Sequence, residues 1–247
     1  MWKVRSLLIS FPGIILATIA MGSISLACSL WDKTGVSQHR VAQWWSRMLL
    51  ALGFLKCRAI GLEKLDPARS YVLVSNHASY MDTPAIMGTI PLEFRFFAKH
   101  GLFSIPFLGW HLRHAGHLPV VRDDPRASIK AMAEGAKLIR ERGVSLLLFP
   151  EGGRSEVQIQ PFKEGAAYIA IKAGVPIVPI GLVGTRVALP MHSAIVRPTT
   201  IQLLVGDPIE TTGLSLHDRG RLTADLQERV ASLIGEKVPT AAVPPGE

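Results

Sequence analysis

The chain has 247 residues, enough for one α/β domain with a sizeable core or two small domains. It is 48% hydrophobic with a mean hydropathy of +0.28, greasy for a soluble domain and too polar for a multi-span transporter; two cysteines cannot build a disulfide scaffold. The net charge of +8 comes without a long basic block or a nucleic-acid-binding motif, which favours an anionic lipid or substrate over nucleic acid.

The first element is residues 6–31, SLLISFPGIILATIAMGSISLACSLW, uninterrupted by any charge. A helix of that length reaches across a hydrocarbon core of roughly 30 Å. Lys3 and Arg5 precede it, Asp32 and Lys33 follow it, and Trp31 stands where an interfacial aromatic would stand. A cleaved signal peptide is the competing reading. Pro12-Gly13 is expected to break the segment, kinking a spanning helix or turning a shallow, re-entrant one.

The second element is a predicted helix within VSQHRVAQWWSRMLLALGFLKCRAIG. Val41, Trp44, Trp45, Met48, Leu49, Leu52 and Leu55 recur at helical spacing, with His39, Arg40, Gln43 and Arg47 elsewhere on the wheel. That pattern suits a helix lying in a membrane interface; the alternative is a helix packed on the following domain. Cys28 and Cys57 read as packing residues, since neither has a basic neighbourhood that would activate a thiol.

From about residue 57 short apolar runs alternate with helical stretches. Strands are predicted at 57–61, 71–75, 94–98, 117–121, 144–149, 177–183 and 199–205, and helices at 84–89, 107–114, 126–142, 163–173 and 215–235. The alternation predicts one α/β domain with a mostly parallel, mixed sheet flanked by helices. The expected organisation is a membrane-associated helical pair over 1–56, a catalytic domain over 57–236 and a disordered tail over 237–247.

Such sheets place their chemistry in the loops beyond the C-terminal ends of the strands, and the polar clusters fall there. After 71–75 comes SNHASYMDTP. On one continuous helix, residues five apart diverge by roughly 140°, so His77 and Asp82 would not meet. A turn leading into a helix capped by Thr83, with Pro84 in its first position, would let Asp82 face back to His77. A carboxylate on one imidazole nitrogen fixes the tautomer and leaves the other free to take a proton. Ser79 has no nucleophile elbow around it, so the proton would come from a substrate hydroxyl. With Asn76, Ser79 and Asp82 read instead as turn and cap residues, His77 would be incidental.

After 144–149 comes FPEGGRS: glycines that let a backbone approach a ligand, Arg154 with its guanidinium fork, and Glu151, which needs a partner beside a buried strand. Lys99 and Arg122 end two further strands and could converge on an anion, with the Phe, Ile, Leu and Trp residues between them lining an acyl groove. His111, His114 and His117 lack metal-ligand spacing.

Together these blocks make the chain resemble the glycerolipid acyltransferases of the 1-acyl-sn-glycerol-3-phosphate acyltransferase type. The family's N-H-x-x-x-x-D appears as NHASYMD, and its second block as Lys99, Pro106, Gly109, Gly116 and Arg122. FPEGGRS stands for F-P-E-G-T-R-S, with Gly153 in place of the usual threonine, and VPIVPI at 175–180 is the fourth block. The resemblance covers about residues 57–206. It implies that His77 is the general base on the acceptor hydroxyl and Asp82 its orienting partner. Lys99, Arg122 and Arg154 would hold the phosphate, while Glu151 and Gly152 would shape the acceptor site.

The implied reaction moves an acyl chain from acyl-CoA or acyl carrier protein to the sn-2 hydroxyl of a lysophospholipid, giving phosphatidic acid without cofactor or metal. Another lysolipid, such as lyso-ornithine lipid, or glycerol 3-phosphate is the alternative acceptor. A membrane hydrolase using the same pair, or a non-catalytic lipid-binding protein, is the alternative of a different class. The implied partners are the membrane, the lipid acceptor and the thioester donor, with the catalytic domain on the cytoplasmic face of the cell membrane.

Overall fold

The computed structural model describes residues 2–120 and 124–238. Among these, seven strands form one mixed sheet: β1 (Lys56–Ile60), β2 (Val72–Ser75), β3 (Phe94–Lys99), β4 (Leu118–Val120), β5 (Ser145–Leu148), β6 (Ile177–Val183) and β7 (Thr200–Val205). Their spatial order is β1-β7-β6-β2-β5-β3-β4. Every pairing is parallel except β6 with β7, so the five strands from β6 to β4 point their C-terminal ends the same way.

β2 lies at the centre, and all four of its residues are buried. Its side chains alternate between the two faces of the sheet. Leu73 joins the core under α2 (Val36–Leu52) and α3 (Asp82–Thr89), whereas Val72 and Val74 join the core on the opposite face. That second face is covered by α5 (Pro125–Arg142), α6 (Gly165–Ala173) and α8 (Arg219–Ile234); α4 (Leu108–His114) lies between β3 and β4, and the single turn α7 (Thr185–Ala188) follows β6. A parallel strand covered on both faces needs an unbroken apolar run, which is what YVLV supplies.

The elements expected from the sequence are present, with four differences. The helix after β2 begins at Asp82 rather than Pro84, because the Asp82 amide already bonds Ser79 O and starts the turn. Pro84 sits within the first turn, where its missing N–H costs nothing. The stretch expected as one helix over 215–235 is a 3-10 turn, Leu216–Asp218, followed by α8, with a Ser215–Asp218 capping box at the entry.

Pro12-Gly13 does not break the first helix. α1 runs from Trp2 to Cys28, and its Ser6–Ser10 turn has π geometry, with Phe11 N bonding Ser6 O. The wider turn falls just ahead of the proline, where the ordinary ladder loses a donor.

The fourth difference is the orientation of α2. Its polar residues face the domain: His39 Nε2 meets Leu92 O at 3.1 Å, Gln43 Nε2 donates to Ile90 O at 3.4 Å and Arg47 Nε donates to Gly88 O at 2.9 Å. Spaced four apart, these side chains form one helical stripe that satisfies carbonyls at and beyond the end of α3. Trp44 and Met48 are left exposed. A polar stripe reads as solvent-facing only until it finds backbone acceptors.

α1 touches the domain at both ends. Val196 N donates to Ser6 Oγ at 2.8 Å near the start, and Ser25 Oγ and His111 Nδ1 share a hydrogen bond of 2.6 Å near the end. Between these points a helix rises about 28 Å. The α1 helix is long and apolar enough to cross a membrane, yet only 11% of its most apolar stretch is buried in the protein.

Candidate active site

β2 and β5 are adjacent, and the loops leaving their C-terminal ends are tied together around His77. Asn76 first anchors the end of β2: its amide donates to Leu182 O at 3.0 Å and accepts from Leu182 N at 2.8 Å, extending the pairing with β6 by one side chain. The chain then turns over Asp82. Oδ2 of this carboxylate, which is 0% exposed, accepts from His77 Nδ1 at 2.7 Å, Ala78 N at 2.7 Å and Ser79 N at 2.8 Å. The last two bonds hold the turn, and the first fixes the imidazole. Asp82 Oδ1 has no partner among the described residues. Ser79 acts as a brace, its hydroxyl donating to Leu189 O at 2.7 Å.

The β5 loop closes on the same histidine from the other side. Glu151 Oε1 accepts from His77 N at 2.5 Å, and Oε2 accepts from Gln160 N at 2.8 Å. Ser155 N donates to His77 O at 2.9 Å. The ring of Phe149 stacks on the imidazole, with centroids 4.0 Å apart and planes 15° from parallel. Tyr80 lies under the Arg154 guanidinium, 3.5 Å from its ring centroid. Burial pushes the Glu151 carboxyl up to about 7; the amides of Gln160 and His77 oppose that shift, and the charges of Asp82 and Glu236 reinforce it.

The side chain of His77 retains 17% exposure, and its Nε2 has no partner among the described residues. An imidazole held at Nδ1 and open at Nε2 is arranged to accept a proton from a group arriving from outside.

The residues expected at the site fall into three groups. His77, Asp82, Glu151, Gly152 and Arg154 are brought together. Gly152 adopts φ +78°, and a β carbon there would press on the end of Lys163, so this position favours glycine. At Gly153 a β carbon would meet nothing within 4 Å, and the fold places no steric demand for glycine there. Lys99 is separate: it ends β3, two strands from β2, and is exposed with no recorded partner among the described residues. Arg122 lies outside the described residues. Of the apolar side chains between them, Leu102, Ile105, Phe107, Leu108 and Trp110 are exposed.

Sequence reasoning passed over Phe149, Tyr80 and Ser155. Phe149 carried a signal, since it is the first residue beyond a buried strand and the next after it is Pro150. Nothing local marks Tyr80 or Ser155, whose partners lie about 75 residues away. Three further histidines, His39 and His117 buried and His111 partly buried, lie apart from the site. His39 and His111 are held down to about 4 by burial, and His117 is pushed well below its usual value by the same cause. Among the described residues no group of three or more His, Cys, Asp or Glu could hold a metal ion.

The family model described as Acyltransferase matches residues 56–183. A chloroplastic 1-acyl-sn-glycerol-3-phosphate acyltransferase of Brassica napus is 35% identical over 174 residues, covering 69% of this chain and 50% of its own length. One of Chlamydomonas reinhardtii is 34% identical over 203 residues, 81% of this chain and 59% of its own. The chain therefore spans about half to three-fifths of the length of these relatives. The crystal structure of the 1-acyl-sn-glycerophosphate (LPA) acyltransferase PlsC from Thermotoga maritima matches with a TM-score of 0.78 at 25% identity, covering 94% of this chain and 95% of that one.

Proposed function

Since this chain belongs to the acyltransferase family, we propose that it moves a fatty acyl chain from an acyl thioester to the sn-2 hydroxyl of 1-acyl-sn-glycerol 3-phosphate, giving phosphatidic acid. The observation that carries the reading is the His77 Nδ1–Asp82 Oδ2 bond of 2.7 Å, at the end of a central strand, with Nε2 unpartnered. The names of the relatives support the choice of acceptor.

In this mechanism His77 Nε2 takes the proton of the acceptor hydroxyl as its oxygen attacks the thioester carbonyl carbon. Asp82 stabilises the imidazolium that forms. The tetrahedral intermediate collapses, the C–S bond breaks, and the thiolate recovers the proton from His77. No acyl-enzyme forms, because the nucleophile belongs to the substrate. The amides of Gly153 and Arg154 have no recorded acceptor among the described residues and are candidates to receive the oxyanion. Arg154, Lys99 and Arg122 are assigned to the acceptor phosphate. Glu151 and Gly152 shape the acceptor side by fixing the backbone of the two loops. The reaction is assigned no cofactor or metal.

Residues 1–56 serve as a membrane-associated unit for the catalytic residues 57–236. Because both ends of α1 bond the same domain, we read this helix as lying along one face of the bilayer rather than crossing it. That arrangement leaves the catalytic domain on the cytoplasmic side, where acyl-CoA or acyl carrier protein is supplied.

Purified enzyme given a labelled acyl thioester and a panel of acceptors tests the proposal. Acceptor-dependent phosphatidate formation that vanishes in His77→Ala is expected. Preferential acylation of glycerol 3-phosphate or lyso-ornithine lipid would replace the acceptor, and thioester hydrolysis without transfer would overturn the reading.

A further inference from the structure

Residues 102–110, LFSIPFLGW, form the crossover from β3 toward β4 and include the start of α4. Leu102, Ile105, Phe107, Leu108 and Trp110 are 37–49% exposed. So dense an apolar patch on an outer surface marks a contact with something other than water.

The segment is held in this position. Phe107 sits at φ +69°, a strained conformation for an aromatic residue, and its ring packs where Gly22 of α1 offers no side chain. One turn further along α1, Ser25 bonds His111 of α4. The crossover therefore lies against the second half of α1, where Ile19 and Ile24 also leave apolar side chains exposed.

Charge decides what covers this surface. Neither residues 1–31 nor residues 94–122 contain an aspartate or glutamate. The exposed ions flanking the crossover, Lys99 and Arg113, are cationic, as is Lys3 near the far end of α1. A second copy of the chain would set these charges against each other. An anionic lipid surface would neutralise them, and Trp31 and Trp110 suit its boundary.

We propose that residues 102–110 are a second membrane-contacting element, forming with α1 a single bilayer-facing surface matched to anionic lipid. The inference rests on the membrane reading of α1 above. The crossover leaves β3 at the end of the sheet that also carries His77, so the face meeting the lipid is the face from which a lipid acceptor would enter.

Spin labels on single cysteines in the full-length protein, with Cys28→Ser and Cys57→Ser in the background, test this. Labels go at positions 105 and 108, with position 16 of α1 and the exposed position 141, near the C-terminal end of α5, as references. The protein is reconstituted into phosphatidylcholine vesicles with and without phosphatidylglycerol. Expected is strong collision with lipid-dissolved oxygen and protection from a water-soluble nickel chelate at 105 and 108, as at 16, with the reverse at 141. Phosphatidylglycerol should deepen the labels at 105 and 108. Nickel access at 105 and 108 while 16 is protected overturns the proposal and leaves the membrane reading of α1 standing. Protection of 105 and 108 from both reagents also overturns it, because protein rather than lipid then covers the patch. Nickel access at 16 as well removes the membrane reading and this inference together. None of these outcomes depends on the acyltransferase activity.

Discussion

The loop leaving β2 and the crossover leaving β3 are built on opposite lines. Around His77 the two loops are tied by many polar contacts: Asp82 takes three donors, Glu151 and Ser155 hold the His77 backbone, and Phe149 fixes its ring plane. Around residues 102–110 the backbone bonds mostly within the segment, with Arg113 donating to Phe103 O at 2.7 Å, and five apolar side chains face outward. The first region is preorganised, which lowers the reorganisation needed at the moment of proton transfer. The second is poorly satisfied alone and is completed by what it touches. Rigidity is concentrated where the proposed proton transfer takes place, and exposed apolar surface where lipid would arrive.

That contrast can be broken by substitution. The largest effect is expected at the pair itself. His77→Ala should lower kcat by about 10²–10⁴-fold while circular dichroism stays unchanged, and Asp82→Asn should approach the same loss by disturbing the tautomer. Near-normal turnover in either variant would falsify the assignment of the base.

Phe149→Leu comes next. Removing the stacked ring lets the imidazole turn, so kcat should fall about tenfold with a smaller change in KM. Recovery in Phe149→Tyr would separate ring stacking from simple loss of volume. A fall in thermal stability without any change in kcat would assign Phe149 to packing alone.

Glu151 links stability to pH. Its folded pKa, about 7, lies above the ordinary 4.5, so the folded state holds its proton more tightly. The resulting stabilisation is complete below about 4.5 and is lost as pH rises through about 7. His39, buried, and His111, partly buried, act in the opposite sense: with values near 4 against an ordinary 6.5, their stabilisation is present above 6.5 and is lost as pH falls through about 4. Glu151→Gln should cost roughly 1–2 kcal/mol by leaving one amide without its acceptor. The difference in Tm between the two proteins should vary between pH 4.5 and 7, isolating the Glu151 contribution from that of the histidines. A difference independent of pH would show that Glu151 titrates normally.

Lys99→Ala should show the smallest effect. An exposed cation at a strand end contributes a screened attraction, so KM for a phosphorylated acceptor should rise by about two- to fivefold at low salt and less at high salt. An unchanged KM at low ionic strength would remove Lys99 from the phosphate site.

Much of the fold was legible because its signals are local. YVLV, SLLL and IVPIGLV are apolar runs of strand length, and the polar blocks after them fall at strand ends. SNHASYMD could be read as a turn because five residues cannot pair on one helix. The Thr83 cap was misplaced because Asp82 was assigned only to the imidazole, whereas its carboxylate also ties the turn that starts α3. The sequence left the orientation of α2 open because a helical wheel separates polar from apolar faces and does not show which face meets unpaired carbonyls.

The sequence by itself determined the element order, the central buried strands and the pairing of an imidazole with a carboxylate across a turn, since each depends on neighbours within a few residues. Only the tertiary structure decided that Glu151, Ser155 and Phe149 converge on His77, and that both ends of α1 return to one domain. Those contacts join residues about 70 to 190 positions apart. Such contacts follow from strand order, and the adjacency of β2 and β5 is made by a crossover that no local pattern records.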